Sequence, residues 1–245
     1  MSESEVNTPL LYQAISQTLG IEIIDGTWAV NTARTLESIQ ERFSVSRTVA
    51  RETSRQLEAM GLVSARRRHG IVAQPIDRWM VLDVRLIDWR LRSTKRREQL
   101  LSLTQLRMAI EPAAAEYSAR RASPEDRAQI LPISAELRRT GEAGDLTTFM
   151  RHDIAFHRLL LQLSGNEMFA ALSDVIAVVL QGRTELGLMP EKPKPEALAL
   201  HDQVADAVYR GDVDAARVAM LGILDEVREA FGGSVESGST PRASD

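Results

Sequence analysis

The side chains best suited to chemistry lie in the segment MRHDIAFHRLL, where Asp153 and His157 stand four residues apart. On a helix this spacing places a carboxylate and an imidazole on one face, as is common among metal ligands. His201, at the start of the later segment HDQVADAVYRGD, is a third candidate ligand. A local hydrogen bond between Asp153 and His157 explains the spacing without a metal, and His201 alone indicates nothing.

Three further charged residues fall on predicted helices. Arg107 and Glu111 are also four residues apart, in LRMAIEPAAAEY, and Arg183 lies near the end of an apolar helix. A pair at this spacing is usually a surface ion pair worth a few tenths of a kcal/mol, roughly 0.2–0.5. Taken alone, these residues predict that this half of the chain is a helical bundle, and the only site they indicate is a polar pocket.

A second kind of chemistry is indicated by FSVSRTVARETSRQLEAMGLV, which places Arg47, Arg51 and Arg55 four residues apart. In a helix this gives one basic stripe, while Val49 and Leu57 belong to an apolar stripe. Residues 31–73 hold eight arginines and four glutamates, a net charge of +4, so the rest of this −4 chain carries −8. A basic patch on an acidic protein indicates a localised anionic partner.

The elements around this stripe read as three helices and a hairpin. The first helix is expected to end at Gly20, the second to cover ARTLESIQERF, and the third to be capped by Ser44 or Ser46 and to end at Gly61. LVSARRRHGIVAQP then predicts two short strands around a basic turn. This order is that of a winged helix-turn-helix, in which the second helix of the motif enters the major groove of DNA. A merely solvated helix face would explain the stripe but not the basic turn.

The sequence as a whole predicts four regions. They are a winged helix-turn-helix over 8–75, a linker and linker helix over 76–97, a helical domain over 98–231 and a disordered tail over 232–245. The three-to-four-residue spacing of Trp79, Leu82, Leu86 and Trp89 predicts a linker helix that packs on the second domain. Breaks at proline and glycine positions predict about six helices of normal length after it. The fold class is therefore mainly α, with a winged helix-turn-helix followed by an all-α bundle.

Composition narrows the function classes. The chain has no cysteine, which excludes disulfides and thiolate sites, and no apolar run near the roughly 20 residues of a membrane helix. The N-terminus lacks the basic start and apolar run of a secretion signal. We therefore expect a cytoplasmic protein without a membrane partner.

SVSRTVARETSRQLEAMGLVSARRRHGIVA resembles the DNA-binding domain of the GntR family, whose pattern runs VSRTxVREAL, LEAxGLV, R..G..V. The resemblance implies an operator-binding domain in which Arg47 and Arg51 read DNA, Thr48 contacts the backbone and His69-Gly70 form the wing tip. Further contacts are expected from Ser46, Arg55 and Arg67. The family's basic contact before the helix turn is Glu37 here, and Arg34 is the candidate substitute.

The second domain is similar, in LRMAIEPAAAEYSARRAS, DIAFHRLLLQLSGN and HDQVADAVYRGDVDAARVAM, to the FCD effector domain of the FadR subfamily. The resemblance implies a divalent metal (zinc, nickel or manganese) on Asp153, His157 and His201, and a small carboxylate effector near Arg107, Asn166 and Arg183. Ile223 stands where that family has a fourth ligand, a histidine, and Glu226 lies one helical turn further on. Two forms stay open: a three-ligand metal site, and a metal-free pocket that uses Arg107 and Arg183.

The stretch PIDRWMVLDVRLIDWRLRS is similar to that of the branch that responds to sugar acids such as galactonate. The resemblance implies a homodimeric repressor that binds double-stranded operator DNA and responds to a small organic acid. Two alternatives are a ligand-insensitive dimeric DNA-binding protein and an all-α metal-dependent hydrolase. Because a basic wing has no role in a hydrolase, we expect that the protein is not an enzyme.

Overall fold

The computed structural model describes residues 3–66, 69–187 and 190–232. The chain divides into two compact units, residues 1–99 and residues 100–245. The first is a winged helix-turn-helix with a small antiparallel sheet and the second is helical, so the predicted mainly α fold is confirmed. The predicted disordered tail lies outside the described residues beyond Gly232.

The described part of the first unit holds four helices and three strands, and α5 begins shortly before its boundary. The helices are α1 (Glu3–Ile24), α2 (Leu36–Phe43), α3 (Arg47–Ala59) and α4 (Val84–Arg92), and the strands are β1 (Ala33–Arg34), β2 (Val63–Arg66) and β3 (Gly70–Ala73). The sheet order is β1-β3-β2, with both pairings antiparallel. The sequence predicted only β2 and β3, because a strand of two residues is too short to show alternation.

The first helix does not end at Gly20, as the sequence predicted, but continues to Ile24. A Cβ at Gly20 would lie 2.4 Å from two ring carbons of Trp89, far inside van der Waals contact. Gly20 is therefore a point of close approach between α1 and α4 rather than a helix stop. Leu19 and Ile23, on either side of it, are fully or almost fully buried in the core of this unit.

The linker helix is shorter than the sequence predicted. It begins at Val84 instead of near Trp79, because Asp83 caps the first turn by accepting a hydrogen bond from the Arg85 amide at 2.9 Å. Leu82, predicted on the packed face, is 53% exposed. Leu86 and Trp89 pack into the core of the winged unit.

The described part of the second unit is helical throughout and includes most of α5. Its helices are α5 (Arg96–Arg121), α6 (Pro124–Ala128), α7 (Ile130–Ala143), α8 (Leu146–Leu163), α9 (Glu167–Ala171), α10 (Ser173–Glu185), α11 (Pro195–Arg210) and α12 (Val213–Gly232). The breaks fall where the sequence placed them, and six of these helices have normal length, as predicted; α6 and α9 are additional short helices of five residues each. Such turns are too short to show helical periodicity.

One core joins α5, α7, α8, α11 and α12, around fully buried residues that include Leu137, Phe156, Val204 and Leu224. No helix in the described part of the chain has both the length and the apolar character that a membrane span requires.

Candidate functional site

The basic face of α3 is the first candidate site. Ser46 is the N-cap, and its hydroxyl accepts a hydrogen bond from the Val49 amide at 3.3 Å. Val49 and Leu57 point into the core, whereas Arg47 and Arg51 are exposed. The structure therefore presents the arginine stripe to solvent at the start and middle of the helix, as an amphipathic helix requires.

The exposed face also includes Thr48 and Arg55. Arg55 forms an ion pair with Glu52 at 2.7 Å, one helical turn earlier. Exposed pairs of this kind contribute little to stability, so Arg55 can exchange Glu52 for another anion at small cost.

Arg34, the candidate substitute for the missing basic residue, is held within the unit. Its guanidinium pairs with Glu22 at 2.7 Å and lies 4.4 Å from the centre of the Trp28 ring. Arg42 pairs with the same carboxylate. The two pairs lower the pKa of Glu22 against the opposing effect of burial. Arg34 is thus occupied by a structural ion pair, while Glu37 is exposed.

The described part of the wing tip consists of His69 and Gly70. His69 is exposed, and Gly70 has a φ of +81°. A Cβ at Gly70 would lie 2.6 Å from the carbonyl oxygen of Arg34, so the close pairing of β1 with β3 also requires glycine here. Arg67, a predicted DNA contact, lies outside the described residues.

The second candidate site is a cluster of buried charged side chains in the helical unit. Helix α8 supplies Asp153 and His157, and α11 supplies His201. The Nε2 atoms of both histidines lie 3.3 Å from Oδ1 of Asp153, and one potential ligand atom from each residue lies within 4.8 Å of the others. The three residues that the sequence singled out as ligands are therefore brought together.

The orientation of the His201 imidazole fits a metal ligand. Its Nδ1 lies 2.7 Å from the carbonyl oxygen of Ala197, which accepts a hydrogen bond if Nδ1 carries the proton. Nε2 is then left with a lone pair that is buried and has no hydrogen-bond partner among the described residues. Because buried polar atoms are normally satisfied, a cation at this position would complete the site.

Helix α5 adds a buried ion pair to this cluster. Arg107 and Glu111 are only 1% and 2% exposed, with Nε of the arginine 2.6 Å from Oε1 of the glutamate. The other glutamate oxygen, Oε2, lies 2.6 Å from Nδ1 of His157. The spacing alone favoured a surface ion pair, and that interpretation is wrong. The apolar context AIEPAAAEY was the available signal for burial.

The electrostatics of the cluster follow from these contacts. Burial raises the pKa of Glu111, but Arg107 and His157 outweigh it and lower the pKa to about 2. Likewise, His157 and His201 hold the pKa of Asp153 well below its usual range despite burial. Burial lowers the pKa of His157, but Glu111 and Asp153 raise it to about 9. Both carboxylates stay charged, and together they favour a positive charge between them, which is either the protonated imidazole or a metal ion.

A cavity of about 120 Å³ opens beside the cluster and is lined by the three candidate ligands together with Arg107, Arg183 and Ile223. Ile223, where the resemblance leads us to expect a fourth ligand, is 5% exposed. Burial and the nearby charge of Arg107 lower the pKa of Arg183 to about 10. Asn166 does not line this cavity. Instead it caps α9 by accepting a hydrogen bond from the Met168 amide.

Sequence reasoning missed Lys194 as a cavity residue and considered Glu226 only as a compensating ligand. Both line the cavity, and they form an ion pair at 3.0 Å. Lys194 precedes α11 in a proline-rich segment, where helical periodicity gives no information about which side chains face a cavity.

Two family models match the chain. A model of the FCD domain matches residues 102–226, and a model of bacterial regulatory proteins of the gntR family matches residues 11–72.

The chain is also similar to individual proteins, both in sequence and in fold. The galactonate operon transcriptional repressor of Escherichia coli (strain K12) is 30% identical over 211 residues, which are 84% of this chain and 90% of the relative. The HTH-type transcriptional regulator LutR of Bacillus subtilis (strain 168) is 24% identical over 215 residues, which are 82% of this chain and 91% of the relative. In fold, Lar of Listeria monocytogenes, which controls the expression of the agr system, superposes with a TM-score of 0.57 at 16% identity, covering 91% of this chain and 96% of that one. E. coli McbR/YncC superposes with a TM-score of 0.51 at 14% identity, and the match covers 91% of this chain and 98% of that one.

Proposed function

The chain belongs to the GntR family of bacterial regulatory proteins and carries an FCD domain, and from this premise we propose that it is a homodimeric repressor released from its operator by a small carboxylate. The family and its relatives are transcriptional regulators and not enzymes, so the hydrolase alternative is set aside.

The exposed arginine face of α3 carries the DNA-binding part of the proposal. Arg47 and Arg51 lie on the surface of the helix that a helix-turn-helix inserts into the major groove, where arginine reads guanine or neutralises phosphate. Ser46, Thr48 and Arg55 contact the backbone around them. His69, Gly70 and Arg67 of the wing complete the interface. Since Arg34 is paired with Glu22, its part is to release that ion pair on binding phosphate.

The buried cations beside the cavity carry the ligand-binding part. Arg107 and Arg183 both line it, and Nη1 of Arg107 is buried without a hydrogen-bond partner among the described residues. An unpaired donor on a buried guanidinium is expensive unless an anion accepts from it. A ligand carboxylate meets this requirement.

Asp153, His157 and His201 are the residues that would hold a divalent metal, and they fit one because their donor atoms converge on a buried, unsatisfied position. Such a metal would add positive charge for the ligand carboxylate. Arg107 and Arg183 are placed to bind and orient that carboxylate whether or not the metal is present. Ile223 supplies an apolar wall where a fourth ligand would otherwise stand.

We assign the ligand to the sugar acids. The supporting observations are the similarity to a galactonate operon repressor and the ion pair of Lys194 with Glu226 at the cavity, since both groups can hydrogen-bond hydroxyls. Asn166, which caps α9, is expected to act on the ligand only through the position of that helix. Ligand binding releases DNA only if the ligand and the operator favour different arrangements of the two DNA-binding domains in the dimer.

The ligand assignment is tested by thermal unfolding of the purified protein with a panel of sugar acids and hydroxy acids, with and without zinc, nickel or manganese. A ligand that binds only the folded state raises the melting temperature by mass action. We expect one sugar acid to do so, and Arg183→Gln to abolish the shift. Arg217→Gln, which changes an arginine on α12 whose side chain is 57% exposed, is the matched control. A panel in which no acid changes the melting temperature would favour the ligand-insensitive alternative.

A further inference from the structure

We propose that Glu111, held by Arg107, is the positioning residue that aims His157 at the metal. The proposal rests on the metal site proposed above and adds to it a residue that touches neither metal nor ligand. The observation that supports it is a continuous series of contacts between buried side chains, from Arg107 through Glu111 to His157.

The two ring nitrogens of His157 face different partners. Nδ1 lies 2.6 Å from Oε2 of Glu111, whereas Nε2 lies 3.3 Å from Oδ1 of Asp153 and 3.4 Å from Nη2 of Arg107. A histidine that binds a metal through one nitrogen is usually oriented by an acceptor at the other, most often a carboxylate or a backbone carbonyl. Glu111 places a carboxylate at that nitrogen of His157 as an ion-pair partner, outside hydrogen-bond geometry, where His201 has the Ala197 carbonyl.

Glu111 is itself fixed in place. Arg107 donates from Nε to Oε1 at 2.6 Å and from Nη2 to Oε2 at 3.3 Å. Both residues are almost completely buried, so neither oxygen exchanges these partners for water. A fork-shaped contact of this kind holds a carboxylate in both position and rotation. The ring of His157 is therefore held through two links rather than by packing alone.

In this arrangement Arg107 has two roles. Its Nε and Nη2 serve Glu111, while Nη1 has no partner among the described residues and the side chain lines the cavity. Replacing Arg107 would therefore disturb ligand and metal together. Glu111 does not line the cavity, and this makes it the residue that isolates the positioning effect.

The test uses the full-length protein loaded with cobalt(II), whose absorption spectrum reports coordination and whose affinity is measured by competition with a chelator. Two variants are compared with the wild type. Glu111→Gln removes the charge, and Glu111→Asp keeps the charge for Arg107 but withdraws it from His157. Glu116→Gln is the matched control, because Glu116 lies on the same helix, pairs with Arg120 at the same four-residue spacing, and has a partly exposed side chain.

We expect both Glu111 variants to bind cobalt about 10- to 100-fold more weakly, with an altered cobalt spectrum, and Glu116→Gln to match the wild type. A purely structural role would instead lower the melting temperature of the metal-free protein and leave the cobalt spectrum of the folded protein unchanged, which would overturn the proposal. If the wild type binds cobalt and both folded Glu111 variants bind it equally well, the proposal alone is wrong. A wild type without affinity for cobalt would overturn the metal site and the proposal with it.

Discussion

At the scale of single residues, the side chains of the helical unit that could bind a metal or an anion form a small, buried cluster. Arg107, Glu111, Asp153, His157 and His201 are all at most 9% exposed. Replacing a buried ion pair by apolar residues of similar volume is often neutral or stabilising by up to about 4 kcal/mol, because taking the charges out of water can cost more than their attraction returns. The cluster is therefore a costly feature for stability alone, and its placement beside a cavity favours a binding role.

Ile223, which the resemblance to the FCD domain places where a fourth ligand is expected, offers a gain-of-function test. Because Ile223 lines the cavity with the three candidate ligands, Ile223→His should add a fourth ligand, an imidazole nitrogen, to one carboxylate and two histidines. We expect metal affinity to rise about tenfold or more, by analogy with the cost of losing supporting ligand interactions. Zinc affinity measured by chelator competition checks this. Ile223→Leu, which adds no donor, should leave zinc affinity unchanged, and an Ile223→His protein that binds no tighter would contradict the assigned ligand set.

Arg51 is the test residue for the DNA interface. Arg51→Ala should weaken operator binding by about 1–3 kcal/mol, since an arginine that contacts a base contributes energy of that order. Arg210→Ala is the control, because Arg210 is an exposed arginine in an ion pair at a helix end of the other unit. Binding is measured by fluorescence anisotropy, with the oligomeric state and acid binding measured in parallel. Intact affinity in Arg51→Ala would rule out α3 as the recognition helix.

At the scale of elements, α1 and α4 approach so closely that only glycine fits between them. Gly20→Ala should therefore lower the free energy of unfolding by about 1–3 kcal/mol, the usual cost of overpacking. This exceeds the gain of up to about 1 kcal/mol that alanine gives over glycine inside a helix. Denaturant unfolding measures the difference.

Gly222→Ala is the matched control for this experiment. Gly222 also lies inside a helix, but a Cβ there would meet a methyl group of Leu200 at 2.9 Å, the flexible end of a side chain, instead of an indole ring. We expect little change or a slight stabilisation in Gly222→Ala. A Gly20→Ala protein as stable as the wild type would show that α4 does not pack on α1 as described.

Elements with strong local signals were predictable from the sequence. The α3 stripe, the Ser46 cap and the breaks near Gly144 and Gly211 follow from periodicity, capping and turn chemistry. The role of Gly20 and the packing of Trp89 depend on contacts between distant segments, which local patterns do not report. The same holds for the cluster, since the sequence identified the ligand types but not the contact between Glu111 and His157.

At the scale of the whole molecule, a homodimeric repressor makes a prediction about its operator. A two-fold dimer places two recognition helices on half-sites about one DNA turn apart, roughly 10 base pairs from centre to centre. Sedimentation should therefore give a dimer in solution and two chains for each operator duplex. Nuclease protection should show a symmetric site with that spacing. A single protected half-site bound by one chain would contradict the dimer.

The central claim, that a small carboxylate controls DNA binding, is tested most directly by fluorescence anisotropy on the DNA upstream of the protein's own gene. The titration is made at several salt concentrations, with and without the panel of sugar acids and hydroxy acids. We predict tight binding that weakens steeply with salt, as phosphate contacts require, and that one acid abolishes. Tight binding that no acid in the panel changes would contradict the claim.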